Sequence, residues 1–297
     1  MVALVLFLVI DVALVAFALN RASGLGALGL DPAAQAPAAP TAAPTPTPEP
    51  PVALVAPTRT LSALNATVAW RGDIGTCPAS AAALESTTDG GATWDRYPLN
   101  PPTDMRSVFS IDVIDRSEVH VVGQSGDDCT TSVGRSYTSG LDWVESPEQA
   151  RTAWYVDPAD PTVVRSPSKS GPLPCGPVVQ VAAADNSTAA ALCADRTVQR
   201  TTDGGLTWDT AVPAPGVVAL ASGPDGYVLA AIGDEACDGV QVRALPETGA
   251  DATVLGCLPA RTTDLPAGSV AVSVATDAVW VWVDEAVRVS QDGGITW

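Results

Sequence analysis

Positive charge is scarce in this chain. Lys and Arg account for 15 of 297 residues, against 33 Asp and Glu, and the formal net charge is −18. Nucleic-acid backbones are held by clustered cations that release counterions, so this balance excludes a nucleic-acid partner. It favours solubility and self-avoidance instead. Lysine occurs once, at Lys169, and histidine once, at His120. One histidine leaves no multi-histidine metal site and argues against a Ser-His-Asp triad. No two cysteines have C-x-x-C spacing, which argues against zinc and thioredoxin-type chemistry. Beyond the N-terminal segment, no stretch has the 3.6-residue periodicity of a helix, so the domain reads as all-β.

What is present begins with an apolar run at residues 2–19, broken only by Asp11. Its length suits a membrane-spanning signal-anchor over residues 1–20. The tripeptide Ala16-Phe17-Ala18 leaves open a cleaved signal peptide and a secreted product. Residues 21–51 form a Pro/Ala/Thr-rich tether without a core of its own. A stalk of that kind favours the anchor, with the domain at 52–297 held extracytoplasmically. Six cysteines follow: Cys77, Cys129, Cys175, Cys193, Cys237 and Cys257. An even count downstream of an export signal reads as three disulfides.

One phrase recurs. Residues 87–94 read TTDGGATW, 201–208 read TTDGGLTW and 290–297 read SQDGGITW. A degraded copy, SYTSGLDW, stands at 136–143, and the turn Pro246-Glu247-Thr248-Gly249 keeps only the glycine. Anchored at positions 89, 138, 203, about 247 and 292, most intervals are near 45–50 residues and one is 65. Short Val-rich runs bounded by Gly, Asp and Pro fill each interval. Four-stranded units at this period indicate propeller blades, about five of them. In the fourth unit the strands fall at 217–222, 227–232, 240–245 and 252–255. The fifth unit reaches Trp297 as its fourth strand begins. Two expectations stand side by side: residues 52–56, VALVA, return as the missing outer strand, or further blades complete a larger ring.

The phrase resembles the Asp box, or BNR repeat, of sialidase-like β-propellers. The resemblance implies that each box is the hairpin between the third and fourth strands of a blade. Its structural residues are then Thr87, Asp89, Gly91, Thr93 and Trp94; Ser136, Gly140 and Trp143; Thr201, Asp203, Gly205, Thr207 and Trp208; and Ser290, Asp292, Gly294, Thr296 and Trp297. The chemistry agrees. Asp and Ser/Thr side chains accept bonds from turn amides, paired glycines permit positive φ, and Trp offers a large packing face. Calcium wants about six to eight oxygens, and each copy offers one carboxylate, so the boxes read as structural.

Alternating strand direction sorts the loops. First–second-strand turns and the boxes fall on one face. Second–third-strand loops, blade-to-blade connections and every cysteine fall on the other. The economical pairing is Cys175–Cys193, Cys237–Cys257 and Cys77–Cys129, out of 15 possible connectivities. The largest insertion, 145–178, shares the cysteine face. Rigid scaffolds carry function on such loops, which points to Asp127, Asp128, Arg151, Trp154, Tyr155, Asp234 and Glu235. His120, inside EVHVV, reads as packing within a blade.

Sialidases carry an Arg-Ile-Pro signature that this sequence lacks, and Tyr97, Tyr137, Tyr155 and Tyr227 show no partnership with a Glu. The G-x-G-x-x-G at 24–29 follows an apolar segment rather than a strand, which excludes a dinucleotide fold. Arg71-Gly72-Asp73 reads as a strand end, and Asn65 and Asn186 head glycosylation sequons. No catalytic residue, cofactor or metal ligand is assigned. The expectation is a membrane-tethered module that binds or scaffolds a protein or glycan of the cell envelope, as photosystem II assembly factor-like and sortilin-like propellers bind proteins. The alternative is a sialidase-like exo-glycosidase, with paired carboxylates at work.

Overall fold

The computed structural model describes residues 54–168, 171–172, 175–249 and 251–297. The apolar segment 1–20 and the tether 21–51 lie outside the described residues. Among the described residues, no helix is long and apolar enough to cross a membrane.

The domain is a five-bladed β-propeller. The first blade comprises β1 (Arg59–Ala63), β2 (Ala69–Asp73), β3 (Ala83–Thr87) and β4 (Asp95–Pro98), and the second β5 (Met105–Val113), β6 (Val119–Ser125), β7 (Thr130–Ser136) and β8 (Val144–Ser146). A short 3-10 helix, Pro147–Thr152, then leads into a small extra sheet of β9 (Tyr155–Val156), β10 (Val163–Arg165) and β11 (Gly171–Pro172). The third blade has β12 (Val178–Ala183), β13 (Ala189–Cys193), β14 (Thr197–Thr201) and β15 (Val212–Pro213). The fourth has β16 (Val217–Gly223), β17 (Gly226–Ile232), β18 (Gly239–Leu245) and β19 (Thr253–Pro259), and the fifth three strands, β20 (Ala271–Ala275), β21 (Ala278–Val283) and β22 (Ala286–Ser290). Every pairing is between chain neighbours and antiparallel.

Composition explains the layering. Second strands lie between neighbouring blades, so β13 (AAALC) and β21 (AVWVWV) are buried at every position. Such strands read as continuous apolar runs. β6 instead alternates, with Val119 and Val121 buried and His120 and Val122 half-buried. One face of the second blade is therefore well covered and the other is not.

The extra sheet explains that difference. Its inner strand β9 packs beside β12 of the third blade. Tyr155 of β9 meets Phe109 of the second blade, ring centroids 5.8 Å apart. A sheet of two- and three-residue strands thus stands between the second and third blades. The insertion was expected as loop on the cysteine face; it forms part of the ring wall.

Residues 54–56 do not form the outer strand of the fifth blade. Leu54 donates its N–H to the carbonyl of Ala194 in the third blade and is buried among Leu192, Val217 and their neighbours. Four residues on, Thr58 donates to the carbonyl of Gly268 ahead of the fifth blade. The segment thus bridges the cysteine face from the third blade to the fifth. Burial of Leu54 outweighs strand pairing there, since a fully buried Leu contributes about 1.5–3 kcal/mol.

Candidate functional site

The repeat hairpins are built first by local bonds. In residues 87–94, the Asp89 carboxylate accepts from the Thr87 hydroxyl (2.8 Å), the Thr93 N–H (2.9 Å) and the Thr93 hydroxyl (2.6 Å). Gly91 donates its N–H to the Thr87 hydroxyl oxygen. Thr201, Asp203, Gly205 and Thr207 repeat this set, as do Ser290, Asp292, Gly294 and Thr296. The degraded copy keeps the core of it: Ser136 accepts from Gly140, and the Thr138 hydroxyl accepts from the Asp142 N–H in place of a carboxylate. These hairpins sit over the first–second-strand turns of their own blades, through Gly90 to Thr67, Ser139 to Ser117 and Gly204 to Ser187. Their glycines face the preceding wall: Gly91 meets Trp280, Gly140 meets Trp70, Gly205 meets Trp154 and Gly294 meets Val242. Trp143 meets Trp70 edge-on at 6.5 Å, Trp208 meets Trp154 likewise, Trp94 lies under Arg71, and Trp297 packs with the fourth-blade cluster.

The fourth blade's turn lacks this lock. Arg200 of the third blade, almost fully buried, holds Asp209 and donates to the carbonyls of Pro246 and Gly249. A side chain from the neighbouring blade thus braces that turn.

The cysteines pair as Cys77–Cys129, Cys175–Cys193 and Cys237–Cys257. The first joins two blades, and the others staple the third and fourth blades. Cys257 lies inside β19 rather than in the connection after it, because that strand runs on to Pro259.

The residues expected to form a binding face are not brought together. Asp127 pairs with Arg106, Asp128 accepts from Thr130, Asp234 holds Arg243, and Arg151 pairs with Glu148. Glu235 is exposed on the fourth-blade loop. Trp154 turns to the opposite, hairpin side, where its Nε1 donates to the Asp185 carbonyl. Tyr155 packs into the wall, and burial pushes its phenol above the ordinary value despite nearby Arg165.

The site the structure offers is the central channel. It encloses about 1230 Å³ and is lined by β1, β5, β9, β12, β16 and β20. It extends sideways between the second blade and the insertion, where Asp112, His120, Arg135, Gln149 and Trp154 line it. His120 is therefore a cavity residue and not blade packing. Its Nε2 lies 2.7 Å from Glu118 Oε1. Asp112 is open to the cavity, yet surrounding protein strips enough water to push its carboxyl above 3.8, with His120 pulling the other way. Other cavity carboxylates are engaged. Asp157 holds Arg165, and Asp185 caps its turn through Ser187 and Thr188, which draws its carboxyl below the usual value. No cluster of three or more metal-ligating side chains occurs among the described residues.

Sequence reasoning missed Asp112 and Arg135 and misplaced His120. The signal was the alternation in SIDVI, EVHVV and VGRS, which puts a polar residue at a matching height in three successive strands.

The sequence matches no established protein-family profile and no curated protein. Among solved structures, YCF48 bound to D1 peptide is 17% identical, covers 83% of this chain and 68% of its own, and has a TM-score of 0.30. YCF48 from Cyanidioschyzon merolae is 16% identical over 82% of this chain and 69% of its own, with a TM-score of 0.30. The GH74 xyloglucanase from Xanthomonas campestris is 13% identical over 80% of this chain and 37% of its own, with a TM-score of 0.32.

Proposed function

We propose that the chain is a membrane-tethered, extracytoplasmic binding module, with an envelope protein or glycan as its ligand. The observation that carries this reading is the side-opening channel, where polar groups line a rigid wall. Concave sites with few, fixed polar groups are the usual form of a binding site. Three disulfides suit an oxidising compartment, and the apolar segment followed by a Pro/Ala/Thr tether suits anchorage. The hairpin repeats serve as scaffold in this reading, because their polar groups are spent on their own turns.

Peptide and glycan arrays probed with the full chain test it. Binding that is lost on Arg135→Ala or Trp154→Ala, and kept on Glu235→Ala, supports a channel site. Binding that depends on Glu235 and ignores the channel would move the site back to the cysteine face.

One observation favours a glycoside hydrolase as the second reading: the raised carboxyl of Asp112, which suits a general acid. Turnover of a fluorogenic glycoside, abolished by Asp112→Asn, would establish it.

A further inference from the structure

The second blade has one face toward the first blade and one toward the insertion. On the latter, the ladder sets Asp112 opposite His120, His120 opposite Arg135, and Arg135 opposite Val144. Residues directly opposite share a face, so these four make one row from channel to rim. At about 4.8 Å per strand, the row is about 15 Å long. The insertion covers the parallel row nearer the cysteine face, where Tyr155 reaches Thr131 and stacks on Phe109. It leaves the outer end of this row open: Val144 is 65% exposed, and Tyr137, edge-on to His120, is 55% exposed.

Arg135 stands apart from the other part-buried arginines. Arg59, Arg71, Arg106, Arg165 and Arg243, like buried Arg200, each hold a carboxylate, and Arg196 donates to the Val217 carbonyl. Arg135 is part-buried, its Nε is buried without a partner, and it makes no ion pair or hydrogen bond among the described residues. In a chain with 33 acids and 15 bases, a part-buried guanidinium left unpaired is a vacant cation. Withholding a partner from a buried polar group costs stability. The row therefore offers a cation and an apolar rim.

We propose that this row is a docking groove for an extended peptide, which sets an acidic side chain on Arg135 and an apolar one on Val144 and Tyr137. The inference rests on the binding-module reading and narrows it. At about 3.3 Å per residue, the groove holds about four or five residues. A peptide supplies both complements at once: a carboxylate for Arg135 and an apolar side chain for the rim. A glycan offers Val144 and Tyr137 only its C–H faces, a smaller apolar area than a Leu or Phe side chain. The protein's strong negative charge opposes acidic ligands at long range, so selection comes from the local guanidinium and not from steering.

The test is a positional-scanning library of acetylated, amidated hexapeptides, titrated against the full chain by fluorescence polarisation. The expected result is Asp or Glu selected at one position, with Leu, Val or Phe within two positions of it. The best hexapeptide loses about tenfold or more on Arg135→Gln, as expected for a charge-assisted bond. Replacing its acid by the amide causes a similar loss, and both changes together cost no more than either alone. Additive losses, or no acid selection, overturn the proposal. Val144→Lys, at an exposed position, abolishes the apolar preference; an unchanged preference also overturns it. A glycan array runs alongside. Glycan binding that survives Arg135→Gln keeps the module reading and overturns the peptide groove, whereas binding to neither library overturns both.

Discussion

Asp89, Asp203 and Asp292 each convert a flexible turn into a fixed corner. The Thr93 hydroxyl, then the Thr93 N–H and the Thr87 hydroxyl, hold the Asp89 carboxyl at about 2, below its ordinary 3.8. Asp203 and Asp292 are lowered to about 2 in the same way, first by Thr207 and Thr296. A depressed folded value means that the unfolded chain binds the proton first. Stability from these corners is therefore complete above about pH 4 and is lost as pH falls through about 2. Thermal melts are expected to be nearly level from pH 7 to 4 and to drop between pH 4 and 2. The triple change Asp89→Asn, Asp203→Asn and Asp292→Asn lowers the melting temperature at pH 7 and makes the acid decline shallower. Asp115, Asp160 and Asp185 cap other turns with lowered carboxyls and keep part of that decline. A decline as steep as the parent's would remove the corners from this role. The paired glycines give a second contrast. Gly140 and Gly205 both have positive φ, but an added Cβ would lie 2.5 Å from Trp70 at Gly140 and 3.5 Å from Trp154 at Gly205. Both alanine changes cost about 1–2 kcal/mol of backbone strain. Gly140→Ala adds overpacking of about 1–3 kcal/mol, so chemical denaturation should rank it the more damaging.

Blades were legible in the sequence because each strand carries its own pattern. The fourth unit's first three strands fall within one residue of the structure, from Val217, Gly226 and Gly239 onward. The extra sheet was not legible: its strands are two or three residues long, too short for alternation to register. VALVA misled for a different reason. A Val-rich run states that a segment is extended and half-buried, not which neighbour buries it. The same limit hid the Arg135 row. Its register follows from three hairpins, but its openness depends on what the insertion covers. At this scale the disulfides make a graded prediction. The loops close 52, 18 and 20 residues for Cys77–Cys129, Cys175–Cys193 and Cys237–Cys257. Loop-entropy reasoning assigns about 4 kcal/mol to the first and about 3 kcal/mol to each of the others. Paired serine replacements, compared by urea titration, should show that order; a Cys77–Cys129 deletion milder than the other two would contradict it.

The ring as a whole joins its first and last blades, and among the described residues these share no strand. An open sheet edge ordinarily invites other chains, so closure needs another device. Here it is a packed seam. Arg59 lies over Trp282 at 4.4 Å, and Arg71 lies over Trp282 at 4.7 Å and over Trp94 at 4.0 Å. Glu85 fixes Arg71 at 2.8 Å, Trp280 donates from Nε1 to the Asn65 carbonyl, and Ser273 accepts the Ala63 N–H. Stacked Arg–Trp contacts gain from being partly withdrawn from water, about 0.5–2 kcal/mol each. The central element of that stack is Trp282, because both arginines rest on it. Trp282→Ala therefore removes two cation–π contacts and a large buried surface, at a cost of about 3–5 kcal/mol. Its effect should be local before it is global. Hydrogen exchange is expected to quicken first in β1, β2 and β20–β22, while β13 of the third blade, which packs on the insertion and the fourth blade, keeps its protection. Arg71→Met, which keeps a stem over Trp94 but no charge, should fall between the parent and Trp282→Ala. If exchange instead quickens evenly through all five blades, the seam is no weaker than any other interface and the ring opens as one unit.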